Sequence, residues 1–401
     1  MNKTAIEGLL MKSFSLVLFL FIYLGICTQS KCSAQAEENN LMVTDTTKTD
    51  SLVNITLSAV GDLMCHSTQF NYARVAADSF NFVPCYEYIL PWLTKPDVMI
   101  GNLETTLAGK NISYSGYPYF NTPDDYAAAL KQVGFDFIVT ANNHANDTGE
   151  KGIIRTIDVL DNLAIPHTGT YASAPDRDSV RILNIKNIKI AILSYTYSTN
   201  GLDLTPGKPW LVNYCDSALI KNDIIKSRSS GAELVLVFFH FGNEYERLPG
   251  TYQQNFVNHA IDCGADIILG SHTHVLQPVN YFITKNATVD TGFVAYSLGN
   301  FISNQQDEYT DEGMVINLYI EKNTNTNKIR ITKADYVPTW VYKGKSEAKK
   351  LHVVFPVLSE DDAALPEFVK KQYGEEIKKA WNNTTGTMNT YTDKIQPVKI
   401  N

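Results

Sequence analysis

From Ile55 onward the chain alternates short apolar runs with segments of helical period, and that alternation leaves few folds open. Strands are expected at Ile55–Val60, Val98–Gly101, Phe137–Thr140, Ile188–Ser194, Leu234–His240, Ile267–Gly270 and Phe293–Leu298. Helices are expected between them. Asp124–Val133 is stopped by Gly134, and Thr251–Cys263 by Gly264. Thr148–Leu163 follows Asp147, with Glu150 three residues later in a capping-box spacing, and Asp216–Ser229 fills another gap. Alternation of this kind predicts an α/β architecture with a largely central sheet. After Gly313 the pattern changes. Met314–Ile320 and Ile329–Val337 read as a β-hairpin across an Asn/Thr-rich turn at Asn323–Asn327. Pro366–Trp381 then reads as a charged amphipathic helix, its proline at the first position, where no N–H is needed. This tail is expected to pack beside the main domain.

Each of several chemically capable residues falls at or just past the end of an expected strand. Asp62 follows Ile55–Gly61, Glu104 follows Val98–Gly101, and Asn143 and His144 follow Phe137–Ala141. His240 ends Leu234–His240, and Gly270-Ser271-His272-Thr273-His274 follows Ile267–Leu269. In an open α/β sheet, positions beyond the strand carboxyl ends converge on one rim. In an extended segment, His272 and His274, two apart, would point to the same side of the backbone. Taken singly, each residue has an ordinary structural role: Asp62 as a turn cap, Glu104 as a solvated edge charge, Asn143 as a loop support, His240 as a core histidine. Together they predict a metal centre. Two divalent ions about 3.5–4 Å apart need a bridging carboxylate and several neutral ligands. Mixed nitrogen and oxygen ligation suits Mn, Fe or Zn. A histidine beside such a site, not itself a ligand, can protonate a leaving oxygen, and His144 is the candidate.

Composition narrows the partner class. The chain has 401 residues and a formal net charge of −8, and no basic stripe appears, which argues against a nucleic-acid partner. At the N-terminus, Lys12 precedes an apolar run from Phe14 to Leu24, too short for a comfortable membrane span. Cleavage after Ala34 would make residues 1–34 a signal peptide. A lipoprotein signal ending at Cys27 ranks second because Ile26 stands where a small residue is usual, and an uncleaved anchor ranks third. All three imply export to the periplasm or cell surface. Residues 35–53 read as a polar linker. Cys65, Cys85, Cys215 and Cys263 match no metal knuckle, and buried thiols and disulfides are equally open to them.

At this point a resemblance is clear. Gly61-Asp62, Asn143-His144, His240 and Gly270-Ser271-His272-Thr273-His274 resemble the ordered signature of calcineurin-like metallophosphoesterases. Finer blocks resemble one branch, the CapA family of bacterial capsule and poly-γ-glutamate synthesis. These are Ala59-Val60-Gly61-Asp62-Leu63-Met64, Asn102-Leu103-Glu104, Asn142-Asn143-His144 with Asp147 and Gly149, and His240-Phe241-Gly242-Asn243-Glu244-Tyr245. Gly264-Ala265-Asp266 and Tyr296-Ser297-Leu298-Gly299-Asn300-Phe301 complete the set. The likeness spans residues 54–345, leaving 346–401 as a C-terminal extension.

The resemblance implies a four-layer αββα metallophosphatase-like sandwich with a C-terminal β-hairpin and helix. It implies that Asp62, Glu104 and His274 serve one metal, with Glu104 bridging, and that Asn143, His240 and His272 complete the other. It further implies action on an anionic cell-envelope polymer or its precursor, alongside capsule-synthesis machinery. Two departures stand out. The broad superfamily usually carries a histidine where this chain has Met64, and usually bridges with Asp where this chain offers Glu104, so either one or two divalent ions are expected. His66 is either a further ligand or a pocket residue. Glu244 either orients His240 or contacts substrate. Asn102, Tyr245 and Asn300 are expected near the pocket. The function implied is a metal-dependent hydrolase, or else a non-hydrolytic polymer-binding or export component on the same scaffold.

Overall fold

The computed structural model describes residues 51–344, 350–359 and 365–399. The expected signal peptide and nearly all of the linker lie outside these residues, as does the expected 345/346 boundary. No helix among the described residues is long and apolar enough to cross a membrane.

Two sheets stack face to face. The first, nine-stranded, runs His352–Pro356, Lys328–Lys343, Glu312–Asn323, Leu52–Leu63, Val98–Leu103, Phe137–Val139, His167–Thr168. Asn300–Ile302 joins beside the end of Leu52–Leu63, and Gln396–Pro397 beside Lys328–Lys343. The second sheet runs Val279–Ile283, Thr291–Ala295, Ile267–Ser271, Leu234–His240, Ile188–Thr196, Ile182–Ile185. In both, the strands that carry candidate ligands run parallel with one another, so their carboxyl ends emerge on one side, while Leu52–Leu63 pairs antiparallel with Glu312–Asn323 on its other edge.

Side-chain alternation builds the layers. Ile55, Leu57 and Ala59 of the first sheet face Ile190, Ile192, Leu236, Phe238 and Leu269 of the second in one continuous core. Val60, Met99 and Ile138 point the other way, into a cluster with Tyr126 and Leu130 of helix Asp125–Gln132 and Leu160 of helix Gly149–Asn162. On the far side, Val235, Val237 and Phe239 pack on Ile220 and Ile224 of helix Ser217–Ser229 and Val257 and Ala260 of helix Thr251–Cys263. The fold is the four-layer αββα sandwich. The terminal hairpin belongs to the first sheet, and helix Glu367–Met388 seals Trp340, Tyr342 and Phe355 with Val369, Ile377 and Ala380.

Several local expectations are corrected. Helix Gly149–Asn162 has Thr148, not Asp147, at its N-cap and no side-chain cap, because the Thr148 hydroxyl donates to Thr106 Oγ1 while Asp147 Oδ2 engages His144 and the Phe120 amide. Pro366 is the N-cap with extended backbone, and the helix runs on to Met388 through a kink at Tyr373. The strand expected at Phe293–Leu298 is Thr291–Ala295, since beyond Ala295 the chain turns across the sheet ends. Cys65, Cys215 and Cys263 carry free thiols.

That crossing depends on two glycines. A β-carbon on Gly61 would lie 2.0 Å from the Gly299 carbonyl oxygen, and one on Gly270 would lie 2.0 Å from the Tyr296 carbonyl oxygen. Backbone oxygens cannot swing aside as a flexible side chain can. Gly270→Ala should therefore cost about 3 kcal/mol. Gly386→Ala, in a helix with open space around it, should be neutral or stabilise by up to about 1 kcal/mol. Urea denaturation of the two variants checks the contrast.

The helix seal also predicts a pH dependence. Burial pushes the Glu312 carboxyl up from 4.5 to about 8, while its Oε1 accepts from Asn383 Nδ2 at 2.6 Å. The folded state thus holds a proton that the unfolded chain has already lost. Stability should fall as pH rises from 4.5 through 8. Glu312→Gln should flatten that slope and melt above wild type at the alkaline end, as read by thermal melts across the range.

Candidate metal centre

The strand ends of both sheets deliver the candidate ligands to one buried place. Asp62 closes Leu52–Leu63, Glu104 lies one residue past Val98–Leu103, and His240 is the last residue of Leu234–His240. Asn143 follows Phe137–Val139, and His272 and His274 follow Ile267–Ser271. None of the six is more than 2 % exposed. The two histidines do not converge by strand pleating. Both adopt left-handed backbone, φ 95° at His272 and 59° at His274, and their ring centroids lie 6.0 Å apart. Such conformations are uncommon for histidine and persist where surrounding structure enforces them, which is a mark of functional sites.

Two ligand groups form. Asp62, Glu104 and His274 offer one set of atoms within 4.8 Å of one another, and Glu104, His240 and His272 offer a second. Glu104 belongs to both. Asn143 joins the second group, its Oδ1 lying 2.6 Å from His240 Nε2.

The electrostatics are uneven. Burial pushes the Asp62 carboxyl up, but the His274 hydrogen bond and the His240 charge outweigh it, leaving it well below the usual carboxylate range. Asp62 also accepts from Asn102 Nδ2 at 2.8 Å and from the His272 amide at 3.3 Å. Glu104 has no such support. Neither of its oxygens has a hydrogen-bond partner among the described residues, and burial, then the Asp62 charge, drives its carboxyl well above the usual range. Burial holds His240 down to about 3, and burial with the His240 charge holds His272 well below its ordinary value. For His274 burial is overcome by Asp62, which raises it. Buried neutral imidazoles and a bare carboxylate are what a cation would use. His272 Nδ1 is likewise buried without a partner. The donor set fits divalent metal.

Around the ligands lies a supporting shell. Asn102 Nδ2 reaches Asp62, His240 Nδ1 at 3.1 Å and Ser271 Oγ at 3.1 Å, while its Oδ1 accepts from Asn142. Ser271 Oγ also lies 3.1 Å from His240 Nδ1. Asn300 Oδ1 holds His274 Nδ1 at 3.1 Å. His144 stands outside both ligand groups, its Nδ1 2.7 Å from Asp147 Oδ2 and its ring edge-on to Phe120. Burial raises the Asp147 carboxyl against the pull of His144.

Other expected residues take definite places. His66 is outside both ligand groups, with its Nδ1 between Gln69 Oε1 at 3.1 Å and the Asn304 amide at 3.3 Å. Met64 is buried, its Sδ accepting from Ser303 Oγ at 3.6 Å, and it stands outside both ligand groups. Glu244 does not orient His240. It sits half-exposed at the rim, 3.9 Å from His274 Nε2, and Tyr245 beside it has φ 69°. Sequence reasoning names Asp147 as a helix cap and within a family-like block and Ser271 within the histidine block, but gives neither a part in the site, and Tyr197 carries no signal at all. Tyr197 lies against His272 with ring centroids 4.4 Å apart.

Because Ser271 steadies both His240 and Asn102, Ser271→Ala should weaken divalent-metal affinity about tenfold while leaving the fold intact. Competitive titration with Mn²⁺, alongside circular dichroism, checks it.

With the geometry established, comparison with known proteins is informative. Residues 56–305 match the family described as bacterial capsule synthesis protein PGA_cap. The chain is 26% identical over 283 residues to the capsule biosynthesis protein CapA of Bacillus anthracis, covering 67% of this chain and 64% of that one. It is 27% identical over 312 residues to the PGA biosynthesis protein CapA of Bacillus subtilis, covering 77% and 78%. The first match thus spans under two thirds of the relative's length. Among solved structures, a phosphatase from Mycoplasma pneumoniae aligns with TM-score 0.42 and 15% identity, covering 72% of this chain and 94% of that one. The NAD nucleotidase of Haemophilus influenzae aligns with TM-score 0.43 and 14% identity, covering 88% and 65%. With its family match extending over most of the folded residues, the chain belongs to the PGA_cap family of bacterial capsule synthesis proteins.

Proposed function

We propose that this protein is an exported, metal-dependent phosphoesterase-type hydrolase of capsule or poly-γ-glutamate synthesis. Its substrate is an anionic cell-envelope polymer or a precursor of it, handled at the periplasm or cell surface with capsule-synthesis machinery. The observation that carries the reading is Glu104, a buried carboxylate with bare oxygens shared by two ligand groups. Export is supported by the apolar run from Phe14 to Leu24.

Asp62, Glu104 and His274 would hold one Mn, Fe or Zn ion, and Glu104, Asn143, His240 and His272 the other. Bound there, the ions would supply the positive charge that binds phosphoryl oxygens and acidifies a water. The chain's own part is positional and acid–base. Asn102, Ser271 and Asn300 fix the imidazoles. Asp147 engages His144 Nδ1 and so selects the tautomer. In its doubly protonated form His144 keeps the Nδ1 proton hydrogen-bonded to Asp147 and gives its Nε2 proton to the leaving oxygen, ending as the neutral Nδ1–H tautomer.

A second reading, polymer binding without turnover, is favoured by one observation. Met64 stands buried where the superfamily would place a further histidine, so the first group offers only three protein ligands.

Chelation should abolish turnover of an aryl phosphomonoester or diester, and Mn²⁺, Fe²⁺ or Zn²⁺ should restore it. His144→Gln should lower kcat about 10²–10⁴-fold with metal content unchanged. Metal-loaded protein that binds polymer yet turns over no ester would replace the hydrolase reading with the second one. Loss of metal in His144→Gln would remove His144 from the acid role.

A further inference from the structure

A second cavity of about 420 Å³ adjoins the ligand cluster, lined chiefly by Tyr197, Tyr252 and the Gly242-Asn243 and Gly250-Thr251 segments. Tyr197 is the shared wall. Its ring lies 4.4 Å from that of His272, and its amide donates to the His240 carbonyl at 3.0 Å. The facing wall is held as firmly. Tyr252 packs on Phe256 with centroids 4.9 Å apart, and its hydroxyl hydrogen-bonds the Cys215 thiol. Both rings nevertheless remain partly open to solvent, at 36% and 46%. Gly242, with φ 111°, lets the Gln253 side chain, itself a lining residue, pack 2.7 Å from where a β-carbon would sit.

The lining chemistry selects among occupants. No lining residue carries a positive charge, and the Glu244 carboxylate follows directly on Asn243. A carboxylate-rich chain would meet no compensating cation here and would be repelled at the rim. Two tyrosine rings instead offer flat apolar surface, while Asn243 and Thr251 offer neutral hydrogen-bonding groups.

We propose that this cavity is a subsite for an uncharged ring, a sugar or an aryl group, esterified to a phosphate held at the metal centre. The proposal rests on the phosphoester reading for the phosphate end but not for the ring end. On this view the capsule-related substrate is a ring-bearing phosphoester, such as a glycosyl phosphate linkage or precursor, and not the bare anionic backbone. Tyr197 and Tyr252 are then specificity-determining residues.

The test is calorimetric binding of phenylphosphonate and ethylphosphonate, neither of which is hydrolysed, to the full chain with and without Mn²⁺. Wild type should prefer phenylphosphonate about fivefold to tenfold. Tyr252→Ala should bring the two within twofold of each other and leave ethylphosphonate affinity unchanged. Tyr252→Phe, which loses the Cys215 bond but keeps the ring, should retain the preference. An absent preference in wild type, or one that survives in Tyr252→Ala, would overturn the subsite. Turnover of glucose 1-phosphate, phenyl phosphate and glycerol 3-phosphate then separates the sources. Preference for the first over the third assigns a sugar, and preference confined to the second assigns an aryl group. Ring-selective binding with no turnover of any ester would uphold the subsite and sink the hydrolase reading. Turnover without ring preference would do the reverse.

Discussion

Two carboxylates, Asp62 and Glu104, lie close together and fully buried, and much of the site's arrangement answers to that. Burying a single unpaired charge costs several kcal/mol, on the order of what a whole domain has in net stability. Asp62 is relieved by His274, Asn102 and the His272 amide. Glu104 receives almost nothing, with His240 Nε2 at 3.5 Å as its nearest cationic candidate and that ring kept neutral by burial. The unequal treatment is informative. A structural carboxylate would be hydrogen-bonded like Asp62, whereas one left bare between two imidazole-bearing groups is set up to meet a cation from both sides.

The sandwich makes this affordable because the ligands come from the ends of well-packed strands. Strands Val98–Leu103, Phe137–Val139, Leu234–His240 and Ile267–Ser271 are buried along their length, as is the carboxyl-terminal half of Leu52–Leu63. Backbone pairing thus fixes the strand ends at or just past which the ligands stand. Glycines 61 and 270 let the segment from Tyr296 to Asn300 lie directly against those ends, with the Asp62 amide donating to Gly299 and the Leu298 amide to Gly270. That crossing brings Asn300 level with Asp62 and within reach of His274. Close backbone approach behind the ligands thus places Asn300 to set the orientation of the His274 imidazole.

Much of this was legible in the sequence, where local pattern and tertiary structure agree. Strand Leu234–His240 and helix Thr251–Cys263 fall where periodicity and Gly264 put them. Convergence of the rim residues followed from parallel α/β logic. What escaped depends on choices that spacing does not encode. The Asp147 to Glu150 spacing looks the same whether the aspartate caps a helix or grips His144, and tertiary contact decided for His144. His272 and His274 fit an extended reading, but the turn after Ser271 is left-handed at both. Glu244 reads either as a partner of the neighbouring His240 or as a substrate contact, and spacing could not show that the loop carries it to within 3.9 Å of His274. Tyr197 is far from His272 in the chain, and a tyrosine after a strand has no signature of its own.

The C-terminal region completes the site from a distance. The loop bearing Glu244 and Tyr245 is tied inward by Tyr245 N to Thr273 O at 2.8 Å, and by Gln277 Nε2 to the Glu246 and Leu248 carbonyls. It is tied outward by Arg247, whose guanidinium lies 4.2 Å over the Tyr309 ring and donates to Asn383 O and Thr387 Oγ1 on helix Glu367–Met388. Glu312 grips the same Asn383 from the central sheet. A loop anchored on both sides can hold Tyr245 in left-handed backbone, which a free loop of this composition would relax. The terminal helix therefore does more than cover the hydrophobic face of Trp340 and Tyr342. It fixes one end of the rim beside the candidate ligand His274, coupling a polar interface in the tail to the loop that borders the site.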